Sequence, residues 1–129
     1  MLWKHLRWTL LWALVILGLC AIPGKDLPQW QWADLLSVDK LVHAGVFAVL
    51  VVLGARGLRA QHHGLAMRSR AMAVLIACCV LYGGALEVMQ GTLMTDRSAD
   101  VLDFVANSAG CGLAWGWLRR RERKAATAR

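Results

Sequence analysis

Residues 71–81 read AMAVLIACCVL, with no charged or amide side chain at any position. A helix on the surface of a soluble bundle needs a polar stripe at helical spacing, and this stretch has none on any face. Residues 46–53, VFAVLVVL, repeat the pattern. Helices that are apolar all round belong in a large core or in lipid. A chain of 129 residues keeps too much surface for its volume to supply such a core. Composition points the same way: 58% of residues are hydrophobic and 18% charged, against about 45–50% and about 25% in soluble domains.

Working outward from these stretches, four apolar runs are legible: residues 8–22, 41–55, from 71 to the acid at Glu87, and about 100–118. A bilayer core asks for about 20 residues per helix. Several runs reach that length only if flanking basic residues snorkel or acids are counted inside the span. The expected architecture is all-α, a four-helix transmembrane bundle over residues 1–118 followed by a basic cytoplasmic tail, 119–129. The first run has the basic flank of a signal peptide but no A-x-A site follows it, so it is expected to remain as a helix.

Charge sets the expected orientation. All but three of the 15 lysines and arginines fall in the N-terminal segment (Lys4, Arg7), the loop between the second and third runs (Arg56, Arg59, Arg68, Arg70) and the tail (Arg119, Arg120, Arg121, Arg123, Lys124, Arg129). The exceptions are Lys25, Lys40 and Arg97. By the positive-inside rule both termini are cytoplasmic, which an even number of spans requires. The acids are distributed conversely: Asp26, Asp34, Asp39, Glu87, Asp96, Asp100 and Asp103 lie on the outer side and only Glu122 on the inner. Trp3, Trp8, Trp115 and Trp117 are expected at the inner interface with Trp12 a turn deeper, and Trp30 and Trp32 in the first outer loop. The net charge of +7 is explained by topology, and no nucleic-acid-binding motif accompanies it. Cys20, Cys78, Cys79 and Cys111 lie in apolar runs without metal-ligand spacing and read as packing residues.

The residues with chemical potential lie at three helix ends. The second run opens with Asp39, Lys40 and His43; the third closes with Glu87 and Gln90; the fourth is entered by Arg97, Asp100, Asp103 and Asn107. At about 1.5 Å rise per residue, His43, Glu87 and Asp103 share a layer roughly 5 Å inside the outer boundary. Asp100, Asp103 and Asn107 fall on one helix face. A carboxylate in lipid is costly, so these faces are expected to converge. His43, Glu87 and Asp103 are the candidate catalytic set, suited to general acid–base chemistry. Lys40, Gln90, Arg97, Asp100 and Asn107 are the candidate substrate-binding set, with Lys40 and Arg97 able to receive a phosphate or carboxylate headgroup. Coordination of a divalent cation and an ion-pair network that only fixes helix register are open alternatives. No residue is assigned as a metal ligand and the sequence indicates no cofactor. Ser108, Gly112 and Gly116 form a small-residue stripe suited to close helix approach or to homo-oligomer contacts.

Asp39-Lys40-x-x-His43, Glu87-x-x-Gln90 and Arg97-x-x-Asp100-x-x-Asp103-x-x-x-Asn107-x-x-Gly110 together resemble the VanZ-like family of bacterial membrane proteins. The resemblance spans Asp39 to Gly116. It implies a multi-pass protein of the bacterial inner membrane with an outward-facing site, membrane lipid as surroundings, and an envelope role with a lipid-linked or cell-surface substrate. The family takes its name from low-level resistance to the glycopeptide teicoplanin; the resemblance implies no reaction, and resistance is not carried over to this chain.

Overall fold

The computed structural model describes residues 2–22, 38–61, 65–94 and 99–128. They form four helices: α1 (Leu2–Cys20), α2 (Val38–Gln61), α3 (Leu65–Leu93) and α4 (Val101–Thr127). There is no strand among the described residues, so the chain is all-helical. Two helices, α2 and the Arg68–Leu93 part of α3, are long and apolar enough to cross a membrane. Neither has a dominant apolar face, as the runs at 46–53 and 71–81 imply. Helix α4 continues without a break through the basic segment to Thr127.

Helix α2 is the centre of the bundle. It packs most extensively on α4, and also on α1 and α3; α3 packs on α4 as well. Phe47, Leu50, Val51 and Ala55 of α2 are buried, together with Ile16 of α1, Cys79 and Leu86 of α3, and Cys111, Ala114 and Leu118 of α4. The apolar residues turned outward are as telling. Leu41, Leu81, Leu93 and Leu113 are each at least 70% exposed. Leucines that find no partner inside the bundle suit a surface solvated by acyl chains.

Where lipid rather than water surrounds a bundle, close packing and interhelical hydrogen bonds hold it together. Two of those bonds join α1 to its neighbours. The Trp12 indole donates to the Val46 carbonyl at 2.9 Å, and the Tyr82 hydroxyl donates to the Ala13 carbonyl at 2.6 Å. Trp12, expected a turn below the interface, is thus a packing residue that spends its N–H on the α2 backbone.

Glycine supplies the close approach, but not at the stripe expected from sequence. A Cβ placed on Gly110 would lie 2.1 Å from the Ala44 carbonyl oxygen, so α4 and α2 touch backbone to backbone there. A Cβ on Gly112 or Gly116 meets nothing within 4 Å; these positions make no close contact within the chain. Gly83 also makes room, because a Cβ there would sit 3.3 Å from both Asn107 and Phe47.

Gly110→Ala is therefore expected to force α2 and α4 apart, at the overpacking cost of about 1–3 kcal/mol or more. Gly112→Ala is expected to be neutral or to stabilise by up to about 1 kcal/mol through helix propensity. Thermal unfolding of both variants in detergent, followed by tryptophan fluorescence, checks the difference.

Candidate functional site

The polar residues at the N-terminal ends of α2 and α4 meet because the two helices run parallel. The Lys40 ammonium donates to Asp100 Oδ2 at 2.7 Å and makes a short hydrogen bond to Asp103 Oδ1. The Asp39 carboxylate lies 3.6 Å from it. One turn deeper, His43 Nδ1 meets Asn107 Oδ1 at 3.1 Å. Asn107 is fully enclosed, at 1% exposure, in the space left by Gly83.

Local sequence explains the entry into α4. Asp100 has extended backbone and its Oδ1 accepts the Leu102 N–H at 2.8 Å, which satisfies a free N–H of the first turn. Asp103 in that turn is favoured by the positive end of the helix. Gly91 lets Ala99 return closely over the end of α3, since a Cβ on it would lie 2.8 Å from the Ala99 Cβ. The return brings the Asp100 N–H to Glu87 Oε2 at 3.1 Å. Glu87 therefore joins the cluster through the Asp100 backbone. It is buried, as is Gln90, whose Nε2 donates to the Cys20 carbonyl at 3.2 Å and ties α3 to the end of α1.

The structure thus gathers Lys40, His43, Asp100, Asp103 and Asn107 at one end of the bundle, with Glu87 attached to Asp100 and Gln90 spent on α1. Arg97 lies outside the described residues, as do Trp30 and Trp32. Lys40, expected at the rim as an anion-binding group, has its charge engaged by carboxylates of α4. Asp39, not among the catalytic or binding sets expected from sequence, belongs to the site: its Oδ1 stands 3.6 Å from His43 Nε2. The i, i+4 spacing on α2 was the available signal.

The state of the imidazole follows from its partners. Asn107 Oδ1 can only accept, so the contact is a hydrogen bond in the forms of the ring that carry a proton on Nδ1. Nε2 then faces Asp39 Oδ1 at 3.6 Å and Asp103 Oδ2 at 3.7 Å, both too long for a hydrogen bond. A proton, a donor group of a substrate, or a cation between these three atoms would satisfy them all. Asp39, His43 and Asp103 can each bring a ligand atom within 4.8 Å of the others, a spread compatible with a divalent cation, although the Lys40 ammonium occupies part of the same negative field. Exposure is graded: the side chains of Asp39 and Asp100 are 55% and 40% exposed, those of His43 and Asp103 14% each, and Asn107 and Glu87 form a buried floor.

An all-helical chain with two helices capable of crossing a membrane and one acid-rich polar end is the class these observations define. No family model, curated protein or solved structure matches the chain.

The hydrogen bond from Lys40, followed by that from the Leu102 N–H, holds the Asp100 carboxyl below its ordinary pKa of 3.8. A lowered folded-state value stabilises the fold above the ordinary pKa, and that contribution is lost as pH falls through the lowered one. Asp100→Asn keeps an N-cap acceptor but removes the charge. The variant is expected to show a shallower fall in melting temperature than the parent below about pH 4, measured by thermal scans across an acid series.

Proposed function

We propose that this chain is a VanZ-like, four-span protein of the bacterial inner membrane, with both termini cytoplasmic, whose polar end faces outward and acts on a lipid-linked or cell-surface substrate. The observation that carries the reading is His43. Its ring is aimed by a buried asparagine, while Nε2 faces two carboxylates at distances that leave a place for a guest. A group held in this way can take a proton from a substrate hydroxyl or amine and return it to a leaving group. Asp103, anchored by Lys40, orients and electrostatically supports the ring, and Asp39 stands at the open edge. Glu87 and Asn107 form the floor, and Asp100 holds Lys40 in place.

Several features support this reading. Of the residues that carry the VanZ-like resemblance, Asp39, Lys40, His43, Asp100, Asp103 and Asn107 are drawn into the cluster and Glu87 is attached to it, whereas Gln90 bonds α1 and Arg97 lies outside the described residues. Three carboxylates, those of Asp39, Asp100 and Asp103, surround one ammonium, so the open end carries excess negative charge and favours cationic or proton-donating groups. The distribution of basic residues assigns the opposite end to the cytoplasm. A second reading, a non-catalytic scaffold or partner subunit, is favoured by a separate observation: Lys40 bridges α2 to two acids of α4, as a register-fixing network would.

The two readings separate by experiment. His43→Ala and Asp103→Asn are expected to abolish complementation of a deletion strain, read as failure to restore its normal profile of lipid-linked envelope intermediates. Protein level and melting temperature should stay near those of the parent. Lys40→Met is expected to lower stability by about 2 kcal/mol, between the values for exposed and buried pairs. If the His43 and Asp103 variants instead fail to accumulate in the membrane, the scaffold reading holds.

A further inference from the structure

The opposite end of the bundle holds a second polar site that the sequence did not suggest. A cavity of about 230 Å³ opens between α2, α3 and α4. Three arginines line it, Arg59, Arg68 and Arg119, with one acid, Glu122. Arg59 pairs with Glu122 at 3.0 Å and Arg68 approaches the same carboxylate at 4.0 Å. The Arg119 guanidinium lies over the Trp115 ring at 4.9 Å. Glu122 offsets one of three positive charges, so the cavity carries an excess of two.

From this cavity an apolar groove runs along α3. It begins at Ala73 and Trp115, which line both spaces, and continues past Ala77 and Val80 to Leu81. Its volume is about 520 Å³ and its walls are almost wholly apolar. The dimensions identify an occupant. From Arg68 to Leu81 the helix rises about 20 Å, close to the depth of one leaflet, half of a bilayer about 40–45 Å thick with its headgroups. The groove itself, from Ala73 to Leu81, is about 12 Å long; a cationic mouth joined to it, the two together of about leaflet length, complements a phospholipid. Arginine forks suit phosphate oxygens, and the cytoplasmic leaflet, where the basic end belongs in the proposed topology, is the anionic one.

We infer that this end of the bundle binds an anionic phospholipid, its phosphate among Arg59, Arg68 and Arg119 and an acyl chain along Ala73–Leu81. The inference rests on the membrane-spanning arrangement proposed above and is independent of the chemistry at His43. A soluble phosphate would use the arginines but not the groove. An acidic protein segment would need neither the groove's length nor its apolar walls.

The test uses the full chain purified in neutral detergent, titrated with short-chain phosphatidylglycerol, short-chain phosphatidylcholine or glycerol phosphate, with binding read by native mass spectrometry. Two excess charges near a membrane surface predict about a 30-fold preference for phosphatidylglycerol over phosphatidylcholine. Arg119 is exposed, so Arg119→Gln should leave the fold intact while reducing that preference to about 5-fold. Ala77→Trp, at an exposed position, should weaken both lipids by filling the groove. Glu122→Gln should preserve or strengthen phosphatidylglycerol binding, because it removes a competing acid. Equal binding of the two lipids, glycerol phosphate binding as tightly as the lipid, or indifference to both Arg119→Gln and Ala77→Trp would overturn the inference. Recovery of the chain in the aqueous fraction without detergent would instead overturn the membrane reading on which it rests, whereas loss of function in His43→Ala with lipid binding unchanged agrees with two separate sites.

Discussion

The backbone contact of Gly110 with the Ala44 carbonyl fixes how α2 and α4 sit together, and the polar end of the bundle depends on it. Because the helices are parallel, one contact sets the register of every pair above it. Ala44 opposite Gly110 places His43 beside Asn107, and a turn nearer the surface places Lys40 beside Asp103. A side chain at position 110 would separate the helices by ångströms, enough to open each of these hydrogen bonds. The glycine stabilises the packing and, through the register, positions the chemistry.

Much of this was legible in the sequence because the driving constraint is simple. Runs with no polar face announce apolar helices, and ionised groups near such helices must find one another. The convergence of the polar ends of α2 and α4 follows from helical spacing and an estimate of depth. What spacing could not supply was the partner of each group. The spacing put Asp103 about a turn deeper than Lys40, and only the relative rotation of α2 and α4 decides that the ammonium bonds both Asp100 and Asp103. Gln90 shared a helix face with Glu87, yet the helix that packs against that face made it a tie to α1. Periodicity identified Gly112 and Gly116 as a stripe, while the contact within the chain uses Gly110, one helical turn from Asn107.

Two polar groupings lie at opposite ends of the bundle. Around Lys40 stand the carboxylates of Asp39, Asp100 and Asp103; in the cavity at the other end, three arginines stand with one acid, Glu122. The arginine cavity escaped the sequence analysis because its members come from three helices and each belongs to a basic segment already explained by topology. The distinguishing signal was Glu122, the single acid on that side. Its carboxylate pairs with Arg59 of α2 at 3.0 Å and approaches Arg68 of α3 at 4.0 Å, so it links both helices to α4.

A network that served only to fix register would spend every polar atom on a partner, since each unspent group near the membrane has a desolvation cost and no return. Most of the Lys40 cluster meets that standard: Lys40 is bonded to two carboxylates, and Asp100 accepts from Lys40 and Leu102 while its N–H reaches Glu87. His43 departs from it. One nitrogen is held by a buried amide, and the other is directed at two acids without bonding either. That nitrogen stands at the boundary between the buried floor and the exposed rim, only loosely paired with Asp39 at 3.6 Å and Asp103 at 3.7 Å, and under the function proposed above it is placed to exchange a proton.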